Sequence, residues 1–192
     1  MGCLDYTLLD TTDPEATAQY ERGLFRAFYP MKNPVLARLR EVDVPQRRMR
    51  LCIPYRDLDV FVARFEGRII AGAAINYNCS AQMQLEKIGF TIDKSRGGIC
   101  EGLAIFNLRS FAENHPVMFE LGAYIHDELL RKKIAVTYGT CSPRLLKGYQ
   151  LLGFREIDRC EPDGCRIHLL EKTVDTPANG FTVAAGRAFR DR

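Results

Sequence analysis

The sequence predicts an α/β fold, mainly because strand and helix patterns alternate in its central stretch. Two apolar runs, Ile99–Phe106 and Ile134–Cys141, predict strands, and the amphipathic run Pro116–Lys133 between them predicts a long helix. This order is typical of a βαβ unit, whose crossover lays the helix against two parallel strands. A short helix that ends within Gly148–Phe154 follows the second strand.

Composition and charge indicate one globular domain and exclude several classes of partner. With 192 residues and 46% hydrophobic content the chain can bury a sizeable core, and we expect a single domain at residues 1–172. The net charge of +3 is too small to indicate a nucleic-acid partner, and no apolar run approaches the roughly 20 residues that span a bilayer. We therefore expect a cytoplasmic protein with no nucleic-acid or membrane partner. Residues 173–192, which are rich in Gly, Ala, Thr and Arg, predict a loose tail.

The seven cysteines do not indicate a metal site. They form no Cys-x-x-Cys pair and no spacing with histidine that suits zinc. We expect mostly buried, reduced thiols that act as small hydrophobic side chains.

The amino-terminal part of the chain predicts a strand followed by two helices. Leu4–Leu9 has the alternation of a strand. Asp13 suits an N-cap, and Pro14–Tyr29 carries apolar residues at helical spacing behind it. A second, shorter helix is expected at Pro34–Glu41, and residues 42–57 predict an irregular connection.

The middle of the chain predicts a hairpin and an insertion. Asp59–Glu66 and Ile69–Tyr77 are β-rich runs joined by a two-residue turn at Gly67-Arg68. Residues 79–96 follow, with an extra strand expected at Leu85–Ile92. A solvent-facing extension of the hairpin is the alternative for this stretch.

The end of the chain predicts an antiparallel closing pair. Phe154–Asp158 and Cys165–Glu171 have strand patterns, and the turn sequence 161–164 separates them. With this pair the expected architecture is a mixed seven-stranded sheet with helices on both faces.

One motif resembles a known family. In Gly148–Phe154 a tyrosine stands four residues before the Gly-Phe pair that ends a helix and opens a strand. This resembles the closing motif L-Y-x-x-x-G-F of the GNAT (N-acetyltransferase) superfamily of acyltransferases, and the order of elements along the chain can be laid on the GNAT acyl-CoA N-acyltransferase fold. More distantly, Glu101–Ile105 is similar to a strand of acyl-homoserine-lactone and N-acyl amino acid synthases.

The resemblance implies where the chemistry lies. Backbone groups near Leu103, Ala104 and Ile105 would pair with the pantetheine arm of a thioester, which needs no particular side chain. Tyr149 would protonate the departing thiolate, and Glu101 would take the proton of the acceptor amine, directly or through water. The alternatives are a Tyr149 whose ring only packs against the sheet, and a Glu101 in a salt-bridged edge position.

The loop 107–116 departs from the family pattern. GNAT enzymes carry an Arg/Gln-x-x-Gly-x-Gly/Ala loop for the pyrophosphate, whereas Glu113 and His115 stand where the glycines belong. An acidic side chain near a phosphate site is unfavourable, but Arg109 and Ser110 would compensate. Ser142 stands where many members carry Asn, and we expect a helix N-cap that also contacts the cofactor.

The resemblance implies transfer of an acetyl or other acyl group from acyl-CoA to a primary amine by direct attack. The acceptor would be a small molecule or a peptide, no metal is implied, and a homodimer is compatible with the sequence. One alternative is transfer of a long acyl chain from an acyl carrier protein, which would need a basic patch such as Arg96, Arg109 and Arg144 because carrier proteins are acidic. Another is a non-catalytic module that binds acyl thioesters.

Overall fold

The computed structural model describes residues 3–108 and 117–175 of the chain. The strands are β1 (Leu4–Leu8), β2 (Arg40–Asp43), β3 (Arg48–Leu51), β4 (Leu58–Phe65), β5 (Arg68–Asn76), β6 (Ile99–Asn107), β7 (Val136–Cys141), β8 (Arg155–Cys160) and β9 (Ile167–Thr173). The helices are α1 (Pro14–Phe28), α2 (Pro34–Arg38), α3 (Gln84–Lys87), α4 (Val117–Arg131) and α5 (Leu146–Leu151).

Seven of these strands form one mixed sheet in the order β1-β4-β5-β6-β7-β9-β8, and β2 pairs with β3 separately. The pairing of β6 with β7 is parallel, whereas β1 with β4, β4 with β5, β7 with β9 and β8 with β9 are antiparallel. β5 is buried at every position from Ile69 to Asn76, so both faces of this strand are covered. The predicted α/β class and seven-stranded mixed sheet are confirmed.

The described residues divide into two compact units. Unit 1 contains residues 3–76 and 103–108, and unit 2 contains residues 77–102 and 117–175. The expectation of a single domain at residues 1–172 stays a prediction.

The helix α1 of unit 1 begins as its sequence predicts. The carboxylate of Asp13 accepts the backbone N–H groups of Glu15 (2.8 Å) and Ala16 (3.2 Å), which satisfies two amides that lack intrahelical partners. Tyr20 and Leu24 then recur one turn apart and are fully buried. They join a core cluster that includes residues of β3, β4, β5 and β6.

The ring of Phe106 on β6 explains two glycines of unit 1. A Cβ on Gly23 of α1 would lie 2.9 Å from Phe106 Cζ, and a Cβ on Gly72 of β5 would lie 2.9 Å from Phe106 Cε1. Real Cβ atoms do not approach carbon atoms this closely, so both positions need glycine. The ring thereby fixes where β6 packs within unit 1.

The connection expected at residues 42–57 contains a hairpin instead. β2 and β3 pair in the register Arg40–Leu51 to Asp43–Arg48, and they also shorten the preceding helix, which ends at Arg38. Each strand has four residues and mixes charged and apolar side chains. Such short runs carry too little alternation to be recognised.

Unit 2 contains α4, whose apolar stripe is as expected. Its buried positions are Val117, Leu121, Ile125, His126 and Leu129. The spacing of three or four residues places the four apolar side chains on one helix face. The two closing strands β8 and β9 pair antiparallel, which confirms the predicted end of the sheet.

The extra strand expected at Leu85–Ile92 is wrong. The helix α3 occupies the first part of it, and Glu86 closes this turn by accepting the Met83 N–H at 2.8 Å. The buried residues Leu85 and Ile88 are three positions apart, which is a helical spacing. Apolar content without clear alternation therefore misled the strand prediction.

The first residues of the expected loose tail belong to the folded part of the chain. Thr173 is the last residue of β9, and the buried Val174 donates its N–H to the Ala135 carbonyl at 2.9 Å. Most of the predicted tail, residues 176–192, lies outside the described residues. Among the helices of residues 3–108 and 117–175, none is long and apolar enough to cross a membrane.

Candidate functional site

The strand β6 is interrupted in its middle. Its parallel register with β7 runs from the pair Ile99–Val136 to the pair Glu101–Tyr138, although β6 continues to Asn107. Ala104 has a φ of 51°, which is a left-handed conformation that costs a non-glycine residue free energy. Left-handed residues inside strands form bulges that redirect the backbone, and such strain concentrates at functional sites. We call this feature, the end of pairing plus the left-handed Ala104, the β6 break.

The three residues expected to bind the thioester surround this break. Leu103 is buried, whereas Ala104 and Ile105 are half-buried. Leu103 and Ala104 are consecutive and yet both pack against the same cluster of unit 1, which regular strand alternation does not allow. The segment at Ala104 therefore departs from the regular alternation of a strand.

Glu101 lies in unit 2 and is fully buried. No part of its side chain reaches solvent, so Glu101 does not face an open cleft. Its Oε1 accepts the backbone N–H of Leu85 at 2.8 Å, in α3. Burial and then the charge of Glu101 raise the pKa of Cys79 to about 11, which indicates that this thiol lies close by. Glu101 is therefore enclosed by protein, with an amide donor on one oxygen.

The segment that holds Glu101 is itself fixed by polar contacts. Lys94 Nζ donates to the Ala81 carbonyl at 2.8 Å and pairs with Glu86 at 2.7 Å. Because Glu86 also accepts the Met83 N–H, the chain from Ala81 to Lys94 closes on itself around α3. This arrangement presents the Leu85 amide to the Glu101 carboxylate.

Tyr149 lies on α5 of unit 2 and is half-buried. Its ring meets that of Phe154 edge to face, with the centroids 5.5 Å apart, and its carbonyl accepts the Phe154 N–H at 3.1 Å. Gly153 between helix and strand has a φ of 81°, so the Gly-Phe pair of the motif makes a turn that requires glycine. Burial, and secondarily the charge of Cys141, raise the pKa of Tyr149. The phenol therefore keeps its proton at neutral pH.

The remaining expected cofactor residues have different outcomes. Ser142 is exposed and stands at the N-cap position of a short 3₁₀ turn, as expected, but its side chain makes no capping hydrogen bond. Arg109 and Ser110 lie outside the described residues, as do Glu113 and His115. Within residues 3–108 and 117–175, no group of three or more His, Cys, Asp and Glu side chains could hold a metal ion.

Sequence reasoning missed a charged cluster around Glu171 in unit 2. The buried Glu171 of β9 pairs with Arg96 at 2.9 Å and with Arg155 at 2.5 Å, and Arg96 also donates to the Tyr138 hydroxyl at 3.4 Å. Arg96 and Arg155 thus share a single carboxylate, and both arginine side chains remain partly exposed. Strand alternation alone marks Glu171 as an inward position, but its partners lie up to 75 residues away in sequence.

A cavity of about 270 Å³ lies beside this cluster. It is lined by His126, Gly153, Arg155, Glu171, Lys172, Thr173 and Asp175. Burial lowers the pKa of Lys172 to about 8, against a smaller opposing effect of Asp175. A primary amine that loses its proton near pH 8 therefore lies on this wall.

No protein-family model matches the chain, and no curated protein matches it in sequence. Its structure, however, is similar to solved structures of acyltransferases. A CoA-dependent acyl-homoserine lactone synthase, BjaI, solved with SAM and isopentyl-CoA, superposes with a TM-score of 0.71 at 14% identity, covering 97% of this chain and 89% of that one.

Two further structures extend the comparison. FeeM, an N-acyl amino acid synthase from uncultured soil microbes, has a TM-score of 0.63 at 12% identity and covers 91% of this chain and 92% of its own. A putative N-acetyltransferase from Lactobacillus plantarum has a TM-score of 0.58 at 10% identity, covering 90% and 99%. At these identities the similarity shows a common fold over nearly the whole chain.

Proposed function

We propose, from the GNAT-like fold that this chain shares with acyl-homoserine lactone synthases and N-acyltransferases, that it transfers an acyl group from a thioester to a primary amine. The single observation that carries the proposal is the β6 break. A strained residue in a central strand, just beyond the point where parallel pairing ends, is a costly feature that folding alone does not require. Binding of an acyl-thioester along this strand would explain why the strained conformation is retained.

The donor would bind chiefly to backbone. Peptide groups of Leu103, Ala104 and Ile105 would hydrogen-bond the pantetheine arm as an added strand does. Arg109 and Ser110 would contact the pyrophosphate of CoA, and the exposed Ser142 would add a hydroxyl contact. The carboxyl end of a parallel strand is where ligands of α/β sheets usually bind.

Two side chains would move protons. The amine must lose a proton before or during its attack on the thioester carbonyl, and the departing thiolate must gain one. Tyr149 would donate the second proton, a role that suits a phenol whose pKa is raised by burial. Glu101 would receive the first proton, directly or through water.

The test of Tyr149 is a thiol-release assay with acetyl-CoA and a panel of primary amines. Tyr149→Phe removes only the hydroxyl and keeps the ring contact with Phe154, so we expect kcat to fall about 10²- to 10⁴-fold with little change in donor affinity. Tyr29→Phe is the matched control, because Tyr29 is 45% exposed and stacks on Phe25 far from this motif in sequence. An unchanged kcat in Tyr149→Phe would leave the tyrosine a packing role only.

The test of Glu101 separates proton transfer from positioning. Glu101→Gln keeps an oxygen that accepts the Leu85 N–H, but an amide cannot take a proton. If Glu101 is the base, the variant folds and loses most of its kcat, and the acidic limb of its pH profile disappears. If Glu101 only holds α3 in place, Glu101→Gln keeps its kcat and its pH profile.

A second candidate function concerns the length of the acyl chain. The similarity to BjaI, with a TM-score of 0.71, is greater than that to the putative N-acetyltransferase, with 0.58. This favours a donor longer than acetyl, from CoA or from an acyl carrier protein. Comparing kcat/KM for acetyl-CoA, longer acyl-CoAs and an acyl carrier protein decides among them. An acidic carrier protein would contact cations such as Arg96, Arg109 and Arg144.

The acceptor would be a small amine or a peptide. The protein would act in the cytoplasm. All seven cysteines are free thiols, which supports a reducing compartment. Comparing the transfer rates of acceptors that differ only in their amine tests the acceptor class. Fractionation of cells that express the chain tests the cytoplasmic location.

A further inference from the structure

Arg40 on β2 is a buried cation that has no counter-charge among the described residues. The residue is 9% exposed, and its Nε has no hydrogen-bond partner among the described residues. Its Nη1 donates to the sulfur of Met49 at 3.7 Å, and its guanidinium lies 3.9 Å from the ring centroid of Phe28. Neither contact supplies a negative charge. Within residues 3–108 and 117–175, no carboxylate forms an ion pair with it.

The hydroxyl of Tyr20 on α1 is a second buried hydrogen-bond donor. Tyr20 is fully buried, and in the described part of the chain its hydroxyl has no hydrogen-bond partner. Burial raises the pKa of Tyr20 and the charge of Arg40 lowers it, so the two groups lie within electrostatic reach. A buried donor without an acceptor, and a buried cation without an anion, both cost stability. One negatively charged oxygen acceptor between them would relieve both costs.

Met49, which Arg40 contacts, also lines a cavity of about 280 Å³. The cavity is lined by Glu21, Glu41, Val42, Asp43, Gln46, Arg48, Met49 and Arg50. Met49 belongs both to the cavity wall and to the contacts of Arg40, and a methionine side chain is flexible enough to swing aside. Displacement of Met49 would open a path from the cavity to the guanidinium.

The charges of the cavity restrict what can enter. Glu21 is compensated by Arg48 at 2.6 Å and by the Tyr55 hydroxyl at 2.9 Å, and Glu41 is compensated by Arg50 at 2.7 Å. Asp43 adds a further carboxylate on the wall. A dianion such as phosphate would meet repulsion here, whereas a singly charged carboxylate matches the single uncompensated charge of Arg40.

We propose that Arg40 and Tyr20 form a binding site for a small monocarboxylate, which enters from the cavity past Met49. The carboxylate would accept hydrogen bonds from the guanidinium and from the phenol. Arginine suits this role because its planar fork matches a carboxylate. All of these groups belong to unit 1, and the proposal does not depend on acyl transfer.

The experiment follows the thermal midpoint of the full chain at pH 7 in sodium acetate and in sodium chloride of equal ionic strength. We expect acetate to raise the midpoint of the wild-type chain in a saturable way. Arg40→Met should abolish this saturable rise and should not lower the midpoint in chloride, because it removes an uncompensated buried charge. Arg166→Met, which affects an exposed ion pair of unit 2 outside this cavity, is the matched control and should keep the rise.

A second measurement keeps the proposal testable if Arg40→Met does not fold. In the wild-type chain labelled with ¹⁵N-arginine, acetate should shift one buried Nε–H signal saturably, and inorganic phosphate at equal ionic strength should shift it less. No saturable shift with acetate, or a rise that persists in Arg40→Met, would overturn the proposal. An equal response to phosphate would overturn the carboxylate class.

Discussion

Replacing Gly23 with alanine should destabilise the protein, although alanine is the better helix former. The new Cβ would lie 2.9 Å from Phe106 Cζ and 3.1 Å from Phe106 Cε2. The ring cannot simply move away, because Gly72 approaches its other edge equally closely. Overpacking of this kind costs about 1–3 kcal/mol, and the gain in helix propensity is about 1 kcal/mol. We therefore expect a net loss of about 1 kcal/mol.

Gly122→Ala in α4 is the matched control. A Cβ at Gly122 would meet its nearest neighbour, Leu152 Cδ2, at 3.7 Å, which is ordinary contact. This variant should gain about 0.5–1 kcal/mol, because alanine restricts the unfolded chain and favours the helix. The two glycine variants should thus differ by about 1–3 kcal/mol and in opposite directions.

Urea unfolding of both variants measures the difference directly. Introducing Gly23→Ala into a Phe106→Leu background should remove most of the loss, because the smaller side chain leaves room for the methyl group. If Gly23→Ala stabilised the protein as much as Gly122→Ala, the ring of Phe106 would not pack against α1. The account of how β6 is positioned within unit 1 would then be refuted.

Three further predictions concern charges. Glu171→Gln should lower the free energy of unfolding by about 1–3 kcal/mol. This loss is smaller than for a fully buried ion pair, because the two arginines are 44% and 70% exposed. The control Glu161→Gln, in an exposed pair, should cost under about 1 kcal/mol. Burial raises the pKa of Glu171, but Arg155 and Arg96 lower it more, so the net pKa is below its ordinary value. The stabilisation from the Glu171 ion pairs is therefore present above about pH 4.5 and is lost as the pH falls below it. Denaturation at pH 7 and pH 3 measures this change. Lys172 should titrate near pH 8, as followed by NMR. The free-energy cost of burying its charged amine should therefore disappear as the pH rises from about 8 to 10.5. A titration midpoint near pH 10.5 would contradict the burial of the amine. Asp13→Ala should cost about 1 kcal/mol in thermal or urea unfolding, and no loss would contradict the cap.

The elements that the sequence predicts well are those with local signals. Asp13 before Pro14 marks a helix start through backbone geometry alone, and α1 begins there. The hairpin of β4 and β5 and the β6-α4-β7 unit carry long apolar runs with a clear period. Each of these features depends on residues close together in sequence, so no tertiary contact is needed to recognise them.

The features that the sequence does not predict depend on distant partners. The carboxylate of Glu101 looked too costly to bury, yet the Leu85 amide, 16 residues earlier, satisfies one of its oxygens within unit 2. The left-handed Ala104 has no local signal, because alanine does not favour that conformation. The short strands β2 and β3 are stable only as a pair, beside a cavity that neither strand forms alone.

The most direct test of acyl-thioester use is calorimetric titration of acetyl-CoA, longer acyl-CoAs and free CoA into the wild-type chain and Tyr149→Phe. We expect one site with a dissociation constant between about 1 μM and 1 mM for at least one acyl-CoA. Binding should be nearly unchanged in Tyr149→Phe, because the hydroxyl acts on the leaving thiolate rather than on the bound donor. Absence of binding heat with every CoA derivative would contradict an acyl-CoA donor and leave only a carrier-protein thioester for the proposed transfer. If an acyl carrier protein also failed to bind, the central claim would fall.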